Sequence, residues 1–207
     1  MPPNVFLPAI EQDILGIKLG EWVINEALQQ LEEWKSMAPD LPISVNISPF
    51  QLQQVDFSKQ LGCLIKKSPG FKRNSLELDI EQISSVIIDC KKLGVTFSID
   101  DFGTGYSSLT YLKRLPTEYL KIDQSFIRDM LTDTEDLAIV QGIIELAKAF
   151  NLKVIAEGVE TATHGDLLLE LGCPFAQGYG IARPMPANDV ADWLEHWKNN
   201  AHLSLSS

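Results

Sequence analysis

Cysteine is scarce in this sequence: Cys63, Cys90 and Cys173 are few, odd in number and far apart. That spacing argues against a disulfide framework and a structural zinc site, and it suits a reducing compartment. Basic residues are the minority, 17 against 28 acidic ones, for a formal net charge of −11. A chain of that sign repels polymeric nucleic acid unless metal ions intervene, while small anions held through cations remain open. Long hydrophobic runs are missing too. The apolar stretches are broken by charge well short of the roughly 20 residues that cross a bilayer, so no membrane span is expected. Met1-Pro2-Pro3-Asn4 lacks the basic start of a signal peptide, and a cytoplasmic location is expected. His164, His196 and His202 lack ligand spacing, and His164 is expected on a solvated helix start or loop. No repeat or low-complexity linker divides the chain. With 45% apolar content, 207 residues suffice for one sizeable core. One domain is therefore expected over residues 1–198, with the small, polar stretch 199–207 as a disordered tail.

What is present is an alternation of strand-like runs and helical periodicity, the pattern of βα units around a parallel sheet. The expected strands are Ile43 to Ser48, Ser75 to Ile80, Gly94 to Asp100, Tyr119 to Ile122, Lys153 to Glu157 and Phe175 to Tyr179. The expected helices are Leu19 to Lys35, Gln51 to Lys66, Glu81 to Leu93, Glu135 to Phe150, Thr161 to Leu171 and Asn188 to Trp197. Trp22, Trp34, Trp193 and Trp197 fall in such helices and read as core or interface packing rather than base-stacking platforms.

The two-residue period of a strand sorts each run into two faces. Ile43, Val45 and Ile47 oppose Ser44 and Asn46; Leu76, Leu78 and Ile80 oppose Glu77 and Asp79; Val95, Phe97 and Ile99 oppose Thr96, Ser98 and Asp100. Leu120 and Ile122 isolate Lys121, and Glu157 and Gln177 end the last two strands. In a parallel barrel the apolar faces pack under helices and the strand ends meet at the mouth, where such folds place their chemistry. Asn46, Asp79, Asp100, Lys121, Glu157 and Gln177 are expected to converge there.

Each such residue taken alone is more often solvated or a helix cap. As a set, clustered carboxylates repel one another unless cations neutralise them, and hard oxygen ligands suit Mg²⁺ or Mn²⁺. The adjacent pair Asp100 and Asp101 fits two neighbouring cations polarising a phosphodiester, with Lys121 orienting or stabilising the nucleophile; a purely structural ion cluster is the alternative. Asp101-Phe102-Gly103 coincides with the kinase metal-binding triplet, but no glycine-rich nucleotide loop or His-Arg-Asp loop accompanies it. Arg183 is open to a phosphate contact or to a salt bridge near the last helix.

From Ile99-Asp100-Asp101-Phe102-Gly103-Thr104-Gly105-Tyr106-Ser107-Ser108-Leu109 through Leu120-Lys121-Ile122-Asp123-Gln124-Ser125-Phe126, the chain resembles an EAL domain, the bacterial family of cyclic di-GMP phosphodiesterases. Val45-Asn46-Ile47-Ser48, Ala156-Glu157-Gly158-Val159-Glu160-Thr161, Ala176-Gln177-Gly178-Tyr179 and Ala182-Arg183-Pro184-Met185-Pro186 extend the match in order, and Phe6-Leu7-Pro8-Ala9-Ile10-Glu11 with Leu19-Gly20-Glu21-Trp22-Val23 carry it over nearly the whole chain. The resemblance implies that Asn46, Asp79, Asp100 and Glu157 ligate metal, with Asp101 serving a second Mg²⁺ or Mn²⁺ ion. Lys121, Glu157 and Gln177 take catalytic roles, with Lys121 and Gln177 handling water; Gln177, Arg183 and Pro184 meet the substrate. The loop Phe102, Gly103, Thr104, Gly105, Tyr106 and Ser107 links the metal site to dimerisation in the family, whose members hydrolyse cyclic di-GMP to linear pGpG.

The sequence departs from that family in two places. The name-giving Glu-Ala-Leu strand and the strand before it are not found, so the expected fold is an α/β, incomplete TIM-like (β/α) barrel of about six of eight strands, lacking the first two. The open edge calls for a homodimer or a partner segment to cover it. Asp79 stands where the family usually has a glutamate, and Glu81-Gln82-Ile83 enters the next helix almost directly. On these grounds the chain is expected to show weak or no hydrolysis by itself, or to be a degenerate module that binds cyclic di-GMP or a protein without turnover.

Overall fold

A computed structural model describes residues 3–80, 86–104, 112 and 116–200. Six parallel strands, β1 (Ile43–Ile47), β2 (Leu76–Ile80), β3 (Thr96–Phe102), β4 (Tyr119–Ile122), β5 (Lys153–Glu157) and β6 (Phe175–Gln177), form one sheet in sequence order. Each strand therefore pairs with its successor through a crossover connection, and the sheet curls into a half-barrel. All six expected strands are present, with ends differing by at most two residues. The largest difference is at β3, which runs on through Asp100 and Asp101 to Phe102.

The helices are α1 (Pro3–Ile10), α2 (Ile14–Trp34), α3 (Pro49–Leu52), α4 (Phe57–Lys66), α5 (Val86–Lys92), α6 (Gln124–Asp129), α7 (Thr134–Ala149), α8 (Ala162–Glu170) and α9 (Val190–Asn200). Local chemistry sets several of their starts. Asp13, Asp123 and Asp133 each accept a backbone N–H two residues on, at 2.8–2.9 Å, which satisfies donors that a helix leaves orphaned. The single helix expected over Gln51 to Lys66 is two, because Ser48 caps the short α3 and the chain turns again before Phe57. α1 and α6 were not anticipated. Glu81 and the rest of 81–85 lie outside the described residues. α9 takes in Asn199 and Asn200 from the expected tail, and 201–207 lie outside the described residues.

Two apolar clusters fill the space between sheet and helices. The first joins α2, α4 and α5 to Val45, Ile47, Leu76, Leu78 and Phe97; the second joins α6, α7 and α8 to Ile99, Phe102, Leu120, Ile122, Val154 and Ala156. β3 contributes to both. His164 does not stand in solvent as expected: it is buried at the start of α8, with Nδ1 2.7 Å from Thr161 Oγ1 and Nε2 3.3 Å from the Arg128 carbonyl, tying α8 to α6. The cysteines are free, Cys63 exposed and Cys90 and Cys173 buried. Among the described residues no helix is long and apolar enough to cross a membrane.

The centre of the concave face is polar. Glu77, Asp79, Thr96, Ser98 and Lys121 are all buried there. Ser44 Oγ donates to Glu77 Oε1 at 3.2 Å, and Ser98 also bonds Glu77. Burial first, then the charge of Asp79, pushes the Glu77 carboxyl above its ordinary range, against the opposing pull of Ser98, Ser44 and Lys121.

Phe97 is 0% exposed and sits in the first cluster on the strand shared by both. Phe97→Ala is expected to cost about 3–5 kcal/mol, measured as a lower urea midpoint at an unchanged slope; a loss below about 1 kcal/mol would show that β3 does not anchor the core. For Glu77 the sign follows from its raised folded-state pKa. The penalty for ionising it is fully present above that pKa and relieved as pH falls through it toward the unfolded value. Glu77→Gln keeps the acceptor for Ser44 and is expected to raise the melting temperature at pH 7.5 and to lose that advantage in acid; a uniform destabilisation at every pH would contradict this.

Candidate functional site

The mouth is built where β3 departs from regular pairing. Ile99 pairs with Leu120 and Phe102 with Ile122, so two residues, Asp100 and Asp101, lie opposite the single Lys121. This is a bulge, and it solves a geometric problem. Consecutive residues of a regular strand point to opposite faces, yet the carboxylates of Asp100, Asp101 and Glu157 each bring one oxygen within 4.8 Å of the others. Asp101 makes the turn at φ +51°, a left-handed conformation that aspartate tolerates better than most side chains. Thr104 Oγ1 donates to the Asp101 carbonyl at 2.9 Å and braces the exit. Gly103 follows at φ +110°, where an added Cβ would stand 2.7 Å from the Phe126 ring, so both backbone and space require glycine.

Lys121 is 4% exposed and reaches into this group from β4. Its Nζ lies 2.7 Å from Glu157 Oε1, 3.1 Å from Asp79 Oδ2 and 3.2 Å from Asp100 Oδ1. Burial alone would lower the ammonium's pKa, but Asp79, Glu157 and Asp100 together outweigh it and hold the group above its ordinary value. Lys121 is therefore a fixed cation at neutral pH. One ammonium nevertheless faces three carboxylates, with Asp101 beside them, and the surplus shows in Glu157 and Asp101. Burial, with Asp100 and Asp101 adding to it, raises Glu157 despite the hydrogen bond from Lys121. Burial, Asp100 and a hydrogen-bonded Asp123 raise Asp101. A hard divalent cation relieves such crowding, and the all-oxygen donors Asp100, Asp101 and Glu157 suit Mg²⁺ or Mn²⁺ chemistry.

The remaining expected site residues surround this group. Asn46 is exposed on the edge strand β1, in register with Asp79; Gln177 is exposed at the end of β6, in register with Glu157. Asp79 is buried, bound by Lys121 and by Ser98. Arg183 and Pro184 are exposed beyond β6, the Arg183 guanidinium 4.8 Å from the centre of the Tyr179 ring. Of the expected regulatory loop, Phe102 is buried and Gly103 and Thr104 are exposed, while Gly105, Tyr106 and Ser107 lie outside the described residues. Sequence reasoning assigned no role to Ser98 or Asp123. The same alternation that selected Asp100 also puts Ser98 on the concave face, and Asp123 belongs to the segment that carries Lys121.

The chain has known counterparts. The chain matches the EAL domain family model over residues 1–184. It is 40% identical over 197 residues to the bifunctional diguanylate cyclase/cyclic di-GMP phosphodiesterase MucR of Pseudomonas aeruginosa, covering 91% of this chain and 29% of that protein. It is 34% identical over 201 residues to the cyclic di-GMP phosphodiesterase PA2567 of the same organism, covering 93% of this chain and 34% of that protein. The chain thus spans about a third or less of the length of these relatives. Its fold superimposes on the PaMucR phosphodiesterase in its c-di-GMP complex with a TM-score of 0.86 at 38% identity, over 92% of this chain and 81% of the other. Sequence and fold agree, and the chain belongs to the EAL domain family.

Proposed function

We propose that the chain carries a divalent-metal-dependent phosphodiesterase site for cyclic di-GMP. The observation that carries this reading is the group Asp100, Asp101 and Glu157 gathered beside the buried ammonium of Lys121. The substrate is supported by relatives named for cyclic di-GMP hydrolysis and by a structural neighbour solved with that nucleotide.

The reaction adds one water across one phosphodiester bond. The water oxygen bonds to phosphorus, the bond from phosphorus to the ribose 3′ oxygen breaks, and that oxygen takes a proton, giving linear pGpG. Asp100, Asp101 and Glu157 would hold Mg²⁺ or Mn²⁺, with Asn46 at the rim. A bound ion supplies Lewis-acid polarisation of the ester and lowers the pKa of water. Lys121 presents a fixed positive charge that orients the attacking oxygen and favours the anionic transition state. Gln177, in register with Glu157, offers an amide to position the same water. The exposed guanidinium of Arg183 is available to a substrate phosphate, with Pro184 beside it. Among the described residues β1 pairs only with β2, so a second copy or another segment is the expected cover for its outer edge. The scarcity of cysteine supports a cytoplasmic location.

A second reading, binding of cyclic di-GMP without turnover, is favoured by Asp79. Both of its oxygens are held by protein partners, and it stands outside the three carboxylates that gather around one possible cation position. One experiment separates the two: incubation with cyclic di-GMP and Mn²⁺, with chromatographic detection of pGpG. Weak turnover by this chain alone is expected, reduced about 100-fold or more by Lys121→Met and by Asp100→Asn at least as strongly. Saturable nucleotide binding with no pGpG would establish the second reading instead. Mn²⁺ at about 100 times its dissociation constant is also expected to stabilise the protein by about 2.7 kcal/mol, read as a rise in melting temperature that EDTA reverses.

A further inference from the structure

The turn that follows β6 is tightly built, although it lies outside the carboxylate group. The Gln177 carbonyl accepts the Val159 N–H at 3.0 Å, and the Val159 carbonyl accepts the Gly180 N–H at 2.8 Å. The chain leaving β6 is thereby zipped to the loop that follows Glu157. The two glycines permit this approach: an added Cβ would stand 2.3 Å from Val159 N and O at Gly178, and 2.7 Å from the Glu160 carbonyl carbon at Gly180. The Ile181 and Ala182 N–H groups both donate to the Gly178 carbonyl at 3.0 Å and bend the chain back on itself. That bend lays the Arg183 guanidinium 4.8 Å from the centre of the Tyr179 ring.

Tyr179 is 59% exposed and belongs to neither apolar cluster. Arg183 is exposed as well, and no carboxylate among the described residues pairs with it, although acidic side chains outnumber basic ones in this chain. The salt bridge that the sequence left open is therefore not formed among them. A guanidinium laid on an aromatic ring keeps its other planar face free, together with N–H groups in its plane. The face suits a nucleobase and the N–H groups suit a phosphate.

We propose that Tyr179 and Arg183 form a stacking platform for a purine base at the rim of the mouth, with the Tyr179 ring holding the guanidinium flat and Arg183 presenting its outer face. The proposal rests on the phosphodiesterase reading for the identity of that base, guanine, and adds base recognition to the phosphate contact. A turn already pinned to its neighbour loses little freedom when a ligand lands on it. Stacking of one base on such a surface is worth roughly fivefold to 150-fold in affinity, and every base offers a π-face. The platform thus favours a nucleotide over a bare phosphodiester and leaves the choice among purines to other groups.

The test has two arms, both on the full chain. The first is run in EDTA, so that neither metal nor turnover enters. The Tyr179 ring and the Arg183 side-chain N–H are followed by NMR during titration with guanosine 5′-monophosphate, and with ribose 5-phosphate as the base-free control. Guanosine 5′-monophosphate is expected to shift both signals, and ribose 5-phosphate to leave the Tyr179 ring unmoved. Equal shifts with the two ligands would reduce Arg183 to a phosphate contact and overturn the proposal, as would no shift with guanosine 5′-monophosphate. The second arm measures the dissociation constant of cyclic di-GMP with Mn²⁺ present. Tyr179→Leu is expected to weaken binding about tenfold, and Arg183→Lys, which keeps the charge but not the plane, by about as much, whereas Tyr179→Phe changes it less than about twofold. Both positions are exposed, so unchanged melting temperatures are expected in all three variants. Full affinity in Tyr179→Leu overturns the proposal. A chain that takes up guanosine 5′-monophosphate at this platform but binds no cyclic di-GMP would sink the phosphodiesterase reading and leave the platform standing.

Discussion

A buried ammonium cannot stand alone, and most of what is distinctive in this chain follows from how Lys121 is satisfied. Removing a charge from water costs several kcal/mol unless it is paired and hydrogen-bonded. Lys121 meets that demand with carboxylates from three other strands: Asp79 on β2, Asp100 on β3 and Glu157 on β5. Four neighbouring strands are thereby fixed relative to one another by a single side chain near their C-terminal ends. The apolar clusters on the convex side hold the same strands against the helices. The sheet is clamped on one face by packing and on the other by charge.

The bulge at Asp100 and Asp101 depends on this arrangement. A left-handed aspartate costs of order 1–3 kcal/mol, and it persists only where its surroundings over-determine it. Ile99 and Phe102 on either side are both buried in the second apolar cluster, so the chain between them has little freedom. The Thr104 hydroxyl and the Gly103 turn hold the exit. The return on this strain is that two adjacent carboxylates face one position, which regular alternation forbids. It also brings Asp100 close to Asp101 and Glu157, which adds to burial in raising the proton affinity of both.

The sheet and most of the mouth were legible in the sequence because one simple rule governs both. Alternation along Ile43–Ile47, Leu76–Ile80 and Lys153–Glu157 separates packing residues from site residues, and burial enforces that separation. What alternation cannot supply is any place where the backbone leaves it. Asp101 is the clearest case: read as a regular strand it would turn to the helix side, and it was its adjacency to Asp100, not alternation, that assigned it to the metal site. The break between α3 and α4 escaped the periodicity because a capped four-residue helix leaves no apolar stripe of its own. His164 misled for a related reason, since its burial depends on a carbonyl of Arg128, 36 positions away in sequence. Ser98 was sorted to the correct face and assigned nothing, because a serine acquires meaning only from the partner it is held against.

The open edges of the half-barrel can be understood in the same terms. A barrel with an apolar interior would have to close, or else expose that interior. Here the concave face carries Ser44, Asn46, Glu77, Asp79, Ser98 and Lys121, with Tyr119, Ile155 and Phe175 on the same face toward β6. The residues nearest the openings, Ser44 and Asn46 on β1 and Gln177 on β6, are exposed hydrogen-bonding groups that water can satisfy. The geometry of the site is another matter. Lys121, Asp79 and Ser98 are fixed by neighbours on both sides, whereas Asn46 and Gln177 sit on strands with a neighbour on one side only. Whatever covers an edge strand would therefore act first on the rim, at Asn46 and Gln177, while the centre of the site is held by its own neighbours. The order of those outermost residues is the property left open to control.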